Sequence, residues 1–126
     1  MSMLVRGIRG ATTVEADEKE LVIEAAGHLL KTIQQENQFD SEDIVSVFFS
    51  VTPDIKSAFP AEARRLLGWD LVPLMCFEEI DVDGALPLCI RVMVHINCDK
   101  KQTDIKHIYL KNAKILRQDL AQRSQP

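Results

Sequence analysis

The sequence is poor in cysteine and has no long apolar run, and each shortage argues against a class of protein. Its three cysteines, Cys76, Cys89 and Cys98, are odd in number, show no CxxC spacing and have no histidine at ligand distance. This pattern argues against a disulfide framework and against a zinc site. No segment approaches the length of a membrane-spanning helix, and residues 1–7 lack the apolar run of a signal peptide. We therefore expect reduced thiols in a cytoplasmic protein that does not contact membranes.

Basic segments and familiar catalytic motifs are also absent. The 15 lysines and arginines are spread along the chain, and the formal net charge is -4, whereas a protein that binds nucleic acid normally concentrates them in a stripe. There is no GxSxG elbow, no glycine-rich phosphate loop before a lysine and no HExxH motif. The chain offers arginines and carboxylates without an obvious nucleophile or base. This combination favours ligand binding, or a reaction that transfers no proton.

Apolar periodicity predicts one long helix that packs on a sheet. Apolar residues recur at every fourth position, at Leu21, Ala25, Leu29 and Ile33. The helix is expected to run to about Asn37, with Asp17 as its N-cap and Glu20 completing a capping box. A second, short helix is expected between Pro60 and Gly68, because proline suits the first helical position and glycine suits the residue after the end.

Extended segments separate these helices. Strands are predicted at Leu4–Ile8, Ile44–Val51, Leu71–Phe77 and Leu88–Asn97, with short extended pieces at Ile108–Leu110 and Ala113–Leu116. The continuous apolar run of Ile44–Val51 indicates a buried central strand. We therefore expect an α+β fold in a single domain of residues 1–126, a mixed sheet with helices on one face. Its second face would be exposed, and association of subunits could cover it.

Arg91 places a charge in the middle of an apolar strand. Alternation puts it on the same face as Cys89 and Met93. A guanidinium among apolar neighbours needs an anionic partner. That partner is either a carboxylate of the same chain or a ligand in a pocket, and the sequence leaves both open.

Two further positions carry charge at strand ends. Glu78 and Glu79 follow the apolar strand that ends at Phe77, and because adjacent strand residues point to opposite faces, at most one of them should enter a pocket. Arg9 ends the first strand beside Gly7 and Gly10. Glycines at these places would let the backbone approach a ligand or a neighbouring strand closely.

A series of short blocks, in a fixed order across nearly the whole chain, carries a family resemblance. The blocks are Val5–Val14, Thr52–Asp54, Ala58–Ala61, Gly68–Trp69, Val72–Cys76, Glu79–Val82, Cys89–Met93, His107–Leu110 and Leu116–Arg117. Together they resemble the AroH-type chorismate mutases. The resemblance implies a homotrimer in which the sheets of three subunits form a central pseudo-barrel, with active sites between subunits. It also implies the unimolecular Claisen rearrangement of chorismate to prephenate, on the route to phenylalanine and tyrosine, with no cofactor.

The resemblance also implies roles for individual residues. Arg91 would lie against the ether oxygen and a carboxylate of chorismate, and Glu79 would accept a hydrogen bond from the ring hydroxyl. Cys76 would lie near the same hydroxyl, whereas Arg9 and Tyr109 would hold a carboxylate. The remaining substrate contacts would be Phe59, Leu74 and Met75 in the apolar wall, Phe77 and Glu78 next along the chain, and Arg65 and Arg117 at the mouth of the cleft.

Two other functions compete with this interpretation. Trimeric enamine/imine deaminases of the YjgF type share a barrel-like trimer and an arginine that binds a carboxylate, although their sequence signatures are absent here. A non-catalytic module that retains the fold and senses a dicarboxylate is the second alternative.

Overall fold

Our computed structural model describes residues 3–117. The regular elements of this range are β1 (Leu4–Thr13), α1 (Lys19–Asn37), β2 (Ile44–Val51), α2 (Arg64–Leu67), β3 (Leu74–Glu78), β4 (Cys89–Cys98) and β5 (Ile108–Tyr109). Short 3-10 turns occupy Ser41–Asp43, Pro60–Ala63, Gln102–Asp104 and Lys111–Ile115. The predicted single domain of residues 1–126 extends beyond the described range.

The strands form one mixed sheet in the order β3-β2-β4-β1-β5. The central strand β4 is antiparallel to both of its neighbours, whereas β2 pairs with β3 and β1 pairs with β5 in parallel. The predicted α+β fold with a mixed sheet is therefore confirmed. Within residues 3–117, no helix is long and apolar enough to span a membrane.

The inner face of the sheet packs against α1. Alternate strand residues such as Ile8, Val47 and Val94 are fully buried there, as is Leu29 of the helix. Gly10 permits this packing, because a Cβ atom at its position would lie 2.7 Å from Ile33 Cδ1. Gly10 therefore allows the close approach of helix α1 to the sheet.

Much of the outer face of the sheet is open to solvent in the single chain, whereas at its β5 end Ala11 and Tyr109 are buried against Ala113. The side chains of Phe48, Met75 and Phe77 lie on it and are 37%, 57% and 49% exposed. The prediction that Ile44–Val51 is a buried central strand is therefore wrong in part: β2 has a neighbour on each side, but one of its two faces is uncovered. The continuous apolar run therefore contributes to two surfaces: one face of β2 packs in the core, and the other is exposed.

The start of α1 differs from the prediction. The helix begins at Lys19, with Glu18 as an N-cap residue whose side chain makes no capping bond. The carboxylate of Asp17 instead accepts the backbone N–H groups of Lys56 at 2.9 Å and Ser57 at 3.0 Å. The predicted capping box is wrong because Asp17 precedes the N-cap and anchors a distant loop.

The ends of the shorter elements follow the sequence more closely, with one exception. Pro60 begins the short helical segment and Gly68 ends it with a left-handed φ of 69°, as predicted. Asp83 and Gly84 form a turn. Ala113–Leu116 was predicted to be extended, but most of it belongs to the 3-10 turn Lys111–Ile115.

Candidate active site

An open cleft of about 280 Å³ lies on the outer face, over β1, β2 and β4. Its lining includes Arg9, Ser50, Phe77, Arg91 and Tyr109. Two arginines and a phenol thus converge on one concave surface. Guanidinium groups and a phenol are suitable donors for carboxylates.

The register of the sheet explains why these side chains meet. Ala11 pairs with Arg91 of β4 on one side and with Tyr109 of β5 on the other. Arg9 lies two residues before Ala11 on the same strand and therefore projects from the same face. Ala11 itself is fully buried in a small apolar cluster with Tyr109 and Ala113, which fixes the tyrosine beside the cleft.

Arg91 forms an ion pair with Glu79 inside the chain. Its Nη1 donates to Glu79 Oε1 at 3.0 Å, and the two side chains are 46% and 30% exposed. Such a partly solvated pair contributes about 0–1 kcal/mol to stability. It uses one of the five N–H donors of the guanidinium. The first possibility from the sequence, a carboxylate partner within the chain, is therefore seen, and the guanidinium also lines an open cleft.

Glu78 and Glu79 project toward different places, as the alternation along a strand requires. The backbone N–H of Glu79 donates to Val51 O at 2.8 Å, which extends the pairing of β2 and β3 by one residue. Its side chain reaches Arg91, whereas Glu78 lines a second cleft at the edge of the sheet.

This edge cleft, of about 720 Å³, lies between β3 and the segment of residues 51–62. Its lining includes Phe59, Pro60, Cys76, Phe77 and Glu78. Phe59 is 70% exposed, which is a large apolar surface to leave in water. The edge cleft is therefore mainly apolar, in contrast to the cationic cleft over β4.

The cysteines near these clefts are protonated thiols. Burial raises the pKa of the Cys76 thiol above its ordinary value of 9.0. Burial also raises the pKa of Cys89 to about 11, and the nearby Arg91 opposes this rise. A thiol with a raised pKa is a weak nucleophile and remains a hydrogen-bond donor.

Several residues that the resemblance implies are not brought together in one chain. Arg65 is exposed on α2, Leu74 packs toward the core, and Met75 is exposed on the outer face. None of the three lines either cleft. Arg117 is partly buried at the end of the described range. A single chain thus presents two clefts, the cationic cleft and the edge cleft, and Phe77 lines both.

Sequence reasoning missed Phe48 and Ser50, which line the cationic cleft from β2. Phe48 pairs with Met93 and Ser50 pairs with Arg91. Their alternation with Val47 and Phe49 was the available signal, but an unbroken apolar run conceals which of its faces meets the core.

Comparison with known proteins decides the family. The family model for chorismate mutase type I matches residues 5–120. The chain belongs to this family. The chorismate mutase AroH of Bacillus subtilis (strain 168) is 47% identical over 120 residues, which are 94% of each chain. The chorismate mutase AroH of Thermus thermophilus is 46% identical over 118 residues, which are 93% of this chain and 97% of that one.

A solved structure shows the same fold at similar identity. The chorismate mutase from Clostridium thermocellum superposes with a TM-score of 0.86 and 47% sequence identity, covering 87% of this chain and 98% of that chain. The resemblance to the chorismate mutases is therefore confirmed, and family membership decides against the deaminase alternative. It does not by itself assign a role to any residue in the two clefts.

Proposed function

We propose that this member of the chorismate mutase family rearranges chorismate to prephenate, with the guanidinium of Arg91 as its central catalytic group. The activity follows from the family to which the chain belongs. The observation that supports the mechanism is the convergence of Arg91, Arg9 and Tyr109 on one open cleft. These groups suit a dicarboxylate substrate and a reaction that needs no nucleophile.

The reaction is intramolecular. One ether C–O bond breaks while one C–C bond forms, and negative charge accumulates on the ether oxygen as the C–O bond lengthens. A cation fixed beside that oxygen stabilises the transition state more than the ground state. Because Arg91 lies on the central strand, its position is set before the substrate arrives.

Restriction of the substrate is the second contribution. Arg9 and Tyr109 hold a carboxylate, so that the flexible substrate is kept in the compact conformation from which the new bond forms. Glu79 accepts a hydrogen bond from the ring hydroxyl, and the protonated thiol of Cys76 lies near the same hydroxyl. In the single chain the Glu79 carboxylate is paired with Arg91, and burial raises the pKa of the Cys76 thiol.

We propose further that the chain acts as a homotrimer whose outer sheet faces form a central pseudo-barrel. The exposed Phe48, Met75 and Phe77 support this assembly, because the association of subunits would bury them. The cationic cleft of one subunit would then meet the edge cleft of the next. Arg65, Leu74 and Met75, which line neither cleft of the single chain, would contribute from the partner, and Arg117 would help to close the mouth beside Glu78.

The product serves the biosynthesis of phenylalanine and tyrosine. We also propose a cytoplasmic location. Cys76, Cys89 and Cys98 are free thiols in the described chain, which suits a reducing compartment.

Loss of chorismate absorbance in the ultraviolet tests the activity and the central role of Arg91. We expect turnover by the native chain and a loss of at least about 10²–10³-fold in kcat for Arg91→Gln, the effect of removing an oxyanion-stabilising donor. Arg64→Gln is the matched control, because Arg64 is also a partly exposed, ion-paired arginine, bound to Asp70 at 3.3 Å but outside both clefts. Near-normal rates for Arg91→Gln would contradict the mechanism. Tight binding of chorismate without turnover by the native chain would favour the sensor.

Mixed trimers test the proposal that each site uses two chains. Arg91→Gln damages the cationic cleft, and Phe59→Asp would place a negative charge in the edge cleft at a side chain that is 70% exposed. Each variant alone should be inactive. Random mixing of equal amounts should restore about one quarter of the sites, since that fraction would combine two intact halves. No recovery in mixed trimers of verified composition would contradict a shared site.

A further inference from the structure

On the side of β1 that faces β5, the backbone N–H of Arg9 is held by a side chain, whereas on the other side Arg9 pairs with Met93 of β4. β5 is only two residues long, and its pairs with β1 are Gly10 with Ile108 and Ala11 with Tyr109. The N–H of Arg9 lies just beyond this short ladder. It donates instead to Nδ1 of His107 at 2.9 Å. An imidazole thus takes the place of the backbone acceptor that a longer β5 would have supplied.

His107 is itself firmly placed. Asn37, at the end of α1 and only 1% exposed, donates through Nδ2 to Lys106 O at 2.9 Å. In return, its Oδ1 accepts the N–H of Lys106 at 2.8 Å. This two-way bond fixes the backbone directly before His107. The chain of contacts therefore runs from the buried end of α1, through Asn37 and the imidazole, to Arg9.

We infer that His107 is a positioning residue for Arg9, and that it acts through the neutral form of its imidazole. The inference rests on the proposed role of Arg9 in holding a substrate carboxylate. His107 also directly precedes the strand that carries Tyr109, so one ring sets the spacing between the two groups that bind carboxylate. Without this acceptor, Arg9 keeps its pairing with Met93 of β4, but its N–H loses the partner on the β5 side. A small shift of the backbone there would misalign the guanidinium with Tyr109.

The proton state of the ring follows from the direction of the hydrogen bond. A backbone N–H can only donate, so Nδ1 of His107 must be unprotonated. The ring adjoins a hollow of about 430 Å³ whose charged or titratable lining consists of Arg6 and Arg9 from β1 and His95 from β4, with Gln102 from the neighbouring turn. Within residues 3–117 no carboxylate lines it: Asp104 of the same turn accepts the N–H of Lys101. Protonation of Nδ1 therefore removes the acceptor of the Arg9 N–H.

This arrangement predicts an acid limb in the activity. The rearrangement transfers no proton, so a pH dependence must come from groups that shape the site. When Nδ1 takes up a proton, its lone pair can no longer accept the N–H of Arg9, and this hydrogen bond breaks. Chorismate then binds more weakly, while the step governed by Arg91 is little affected. The acid limb should therefore appear in KM and not in kcat.

A matched pair of substitutions tests the inference. In His107→Asn, the amide oxygen can occupy the place of Nδ1 and accept the same bond at every pH. In His107→Gln, the side chain carries the same chemical group one methylene farther out, where it cannot. We expect His107→Gln to raise KM about three- to tenfold, the effect of one lost hydrogen bond, and His107→Asn to stay within about twofold of the native chain at pH 8.

The ratio of native to His107→Asn activity, followed from pH 8 to pH 5, is the decisive readout. The native chain should lose kcat/KM relative to His107→Asn as the pH falls. Glu79 is present in both chains, so its own titration cancels in this ratio. His95→Gln is the control for the other histidine of the hollow and should retain the native acid limb. A constant ratio, or equal KM values for His107→Asn and His107→Gln, would overturn the inference.

A second comparison separates this inference from the proposed function. Arg9→Ala should raise KM strongly, and in that background His107→Gln should have no further effect, because the group that it positions is gone. If Arg9→Ala leaves KM unchanged, the role of Arg9 in the proposed site is wrong. If Arg9→Ala raises KM but His107→Gln does not, only the role of His107 is wrong.

Discussion

The two faces of the sheet are built on different principles, although they share the same five strands. The inner face is completed by the chain itself, because α1 covers it and residues such as Ile8, Val94 and Leu29 are fully buried. The outer face combines apolar side chains such as Phe77 with the charge of Arg91, and in the single chain much of it lies open. Stability is thus concentrated on one face and ligand chemistry on the other. Substitutions on the two faces should therefore have separable effects.

The neighbouring phenylalanines of β2 test this separation most strongly. Phe49 faces the core and is 1% exposed, whereas Phe48 faces outward and is 37% exposed. We expect Phe49→Ala to lower the free energy of unfolding by about 3–5 kcal/mol, since it removes buried surface and leaves a cavity. Phe48→Ala should cost clearly less within the subunit, because this side chain is already partly in water and packs on the rings of Phe77 and His95 at the open face.

Urea unfolding at two protein concentrations measures both variants and separates folding from association. Equal losses for Phe48→Ala and Phe49→Ala at both concentrations would show that the two faces contribute alike to the fold.

The second prediction sharpens the comparison at Arg91. Arg91→Lys retains the charge but loses the planar fork of donors that can serve a carboxylate and the ether oxygen together. We expect kcat/KM to fall by about 10²-fold or more, with an unchanged melting temperature, because the ion pair with Glu79 contributes little to stability. Steady-state kinetics and thermal unfolding of the same sample test both parts. A large drop in melting temperature would place Arg91 with the structural residues.

The third prediction concerns association. Phe77 is 49% exposed, lines both clefts and lies with its ring centroid 6.0 Å from that of Phe48. Phe77→Ser should weaken the proposed trimer by about 1–3 kcal/mol per subunit, the transfer free energy of a large apolar side chain, while the subunit remains folded. Sedimentation velocity over a range of concentrations, with circular dichroism as the control, measures this effect. An unchanged trimer would show that the outer face is not the surface through which subunits meet.

The smallest effect is expected from Asp17, which belongs to neither face. Hydrogen bonding from Ser57 and the backbone N–H of Lys56 lowers the pKa of this carboxyl from 3.8. The well-formed hydrogen bonds to this carboxylate come from the backbone N–H groups of Lys56 at 2.9 Å and Ser57 at 3.0 Å. A lowered pKa in the folded chain means that the stabilisation is complete above pH ~4 and is lost as the pH falls below it.

The stability of the native chain should therefore exceed that of Asp17→Asn by a constant amount at neutral pH, and the difference should shrink in acid. Urea unfolding at pH 7 and pH 3 measures it. A difference that grows toward acid would contradict the assignment.

Much of the fold could be predicted from the sequence because its signals are local. The period of Leu21, Ala25, Leu29 and Ile33 marks one face of α1, and Gly68 marks a helix end whatever surrounds it. Asp17 could not be predicted, since a carboxylate before a helix has the same local appearance whether it caps the helix or binds a loop 39 residues away. The exposure of the outer face of β2 was missed for a related reason. An apolar strand sequence does not indicate whether its second face packs against a helix, lies in water or contacts another subunit.

The residues of the candidate site also divide into those that a local pattern reveals and those that it does not. Arg91 was recognisable because a charge interrupts an apolar alternation. The roles of Arg9, Cys76 and Tyr109 came from resemblance alone, because their grouping depends on strand order, which no local pattern specifies. His107 was invisible as a positioning residue, since its contact with Arg9 spans 98 residues of sequence.

The ion pair between Arg91 and Glu79 joins the central strand β4 to a segment without regular structure. Arg91 is flanked by Ala11 and Ser50 on a strand with neighbours on both sides, whereas Glu79 follows the edge strand, and residues 79–88 have turns and irregular structure. An incoming anion can therefore displace the carboxylate while the guanidinium remains where it is. In the single chain Glu79 holds the guanidinium beside the cleft through a partly solvated ion pair, and loss of that pair would cost little stability.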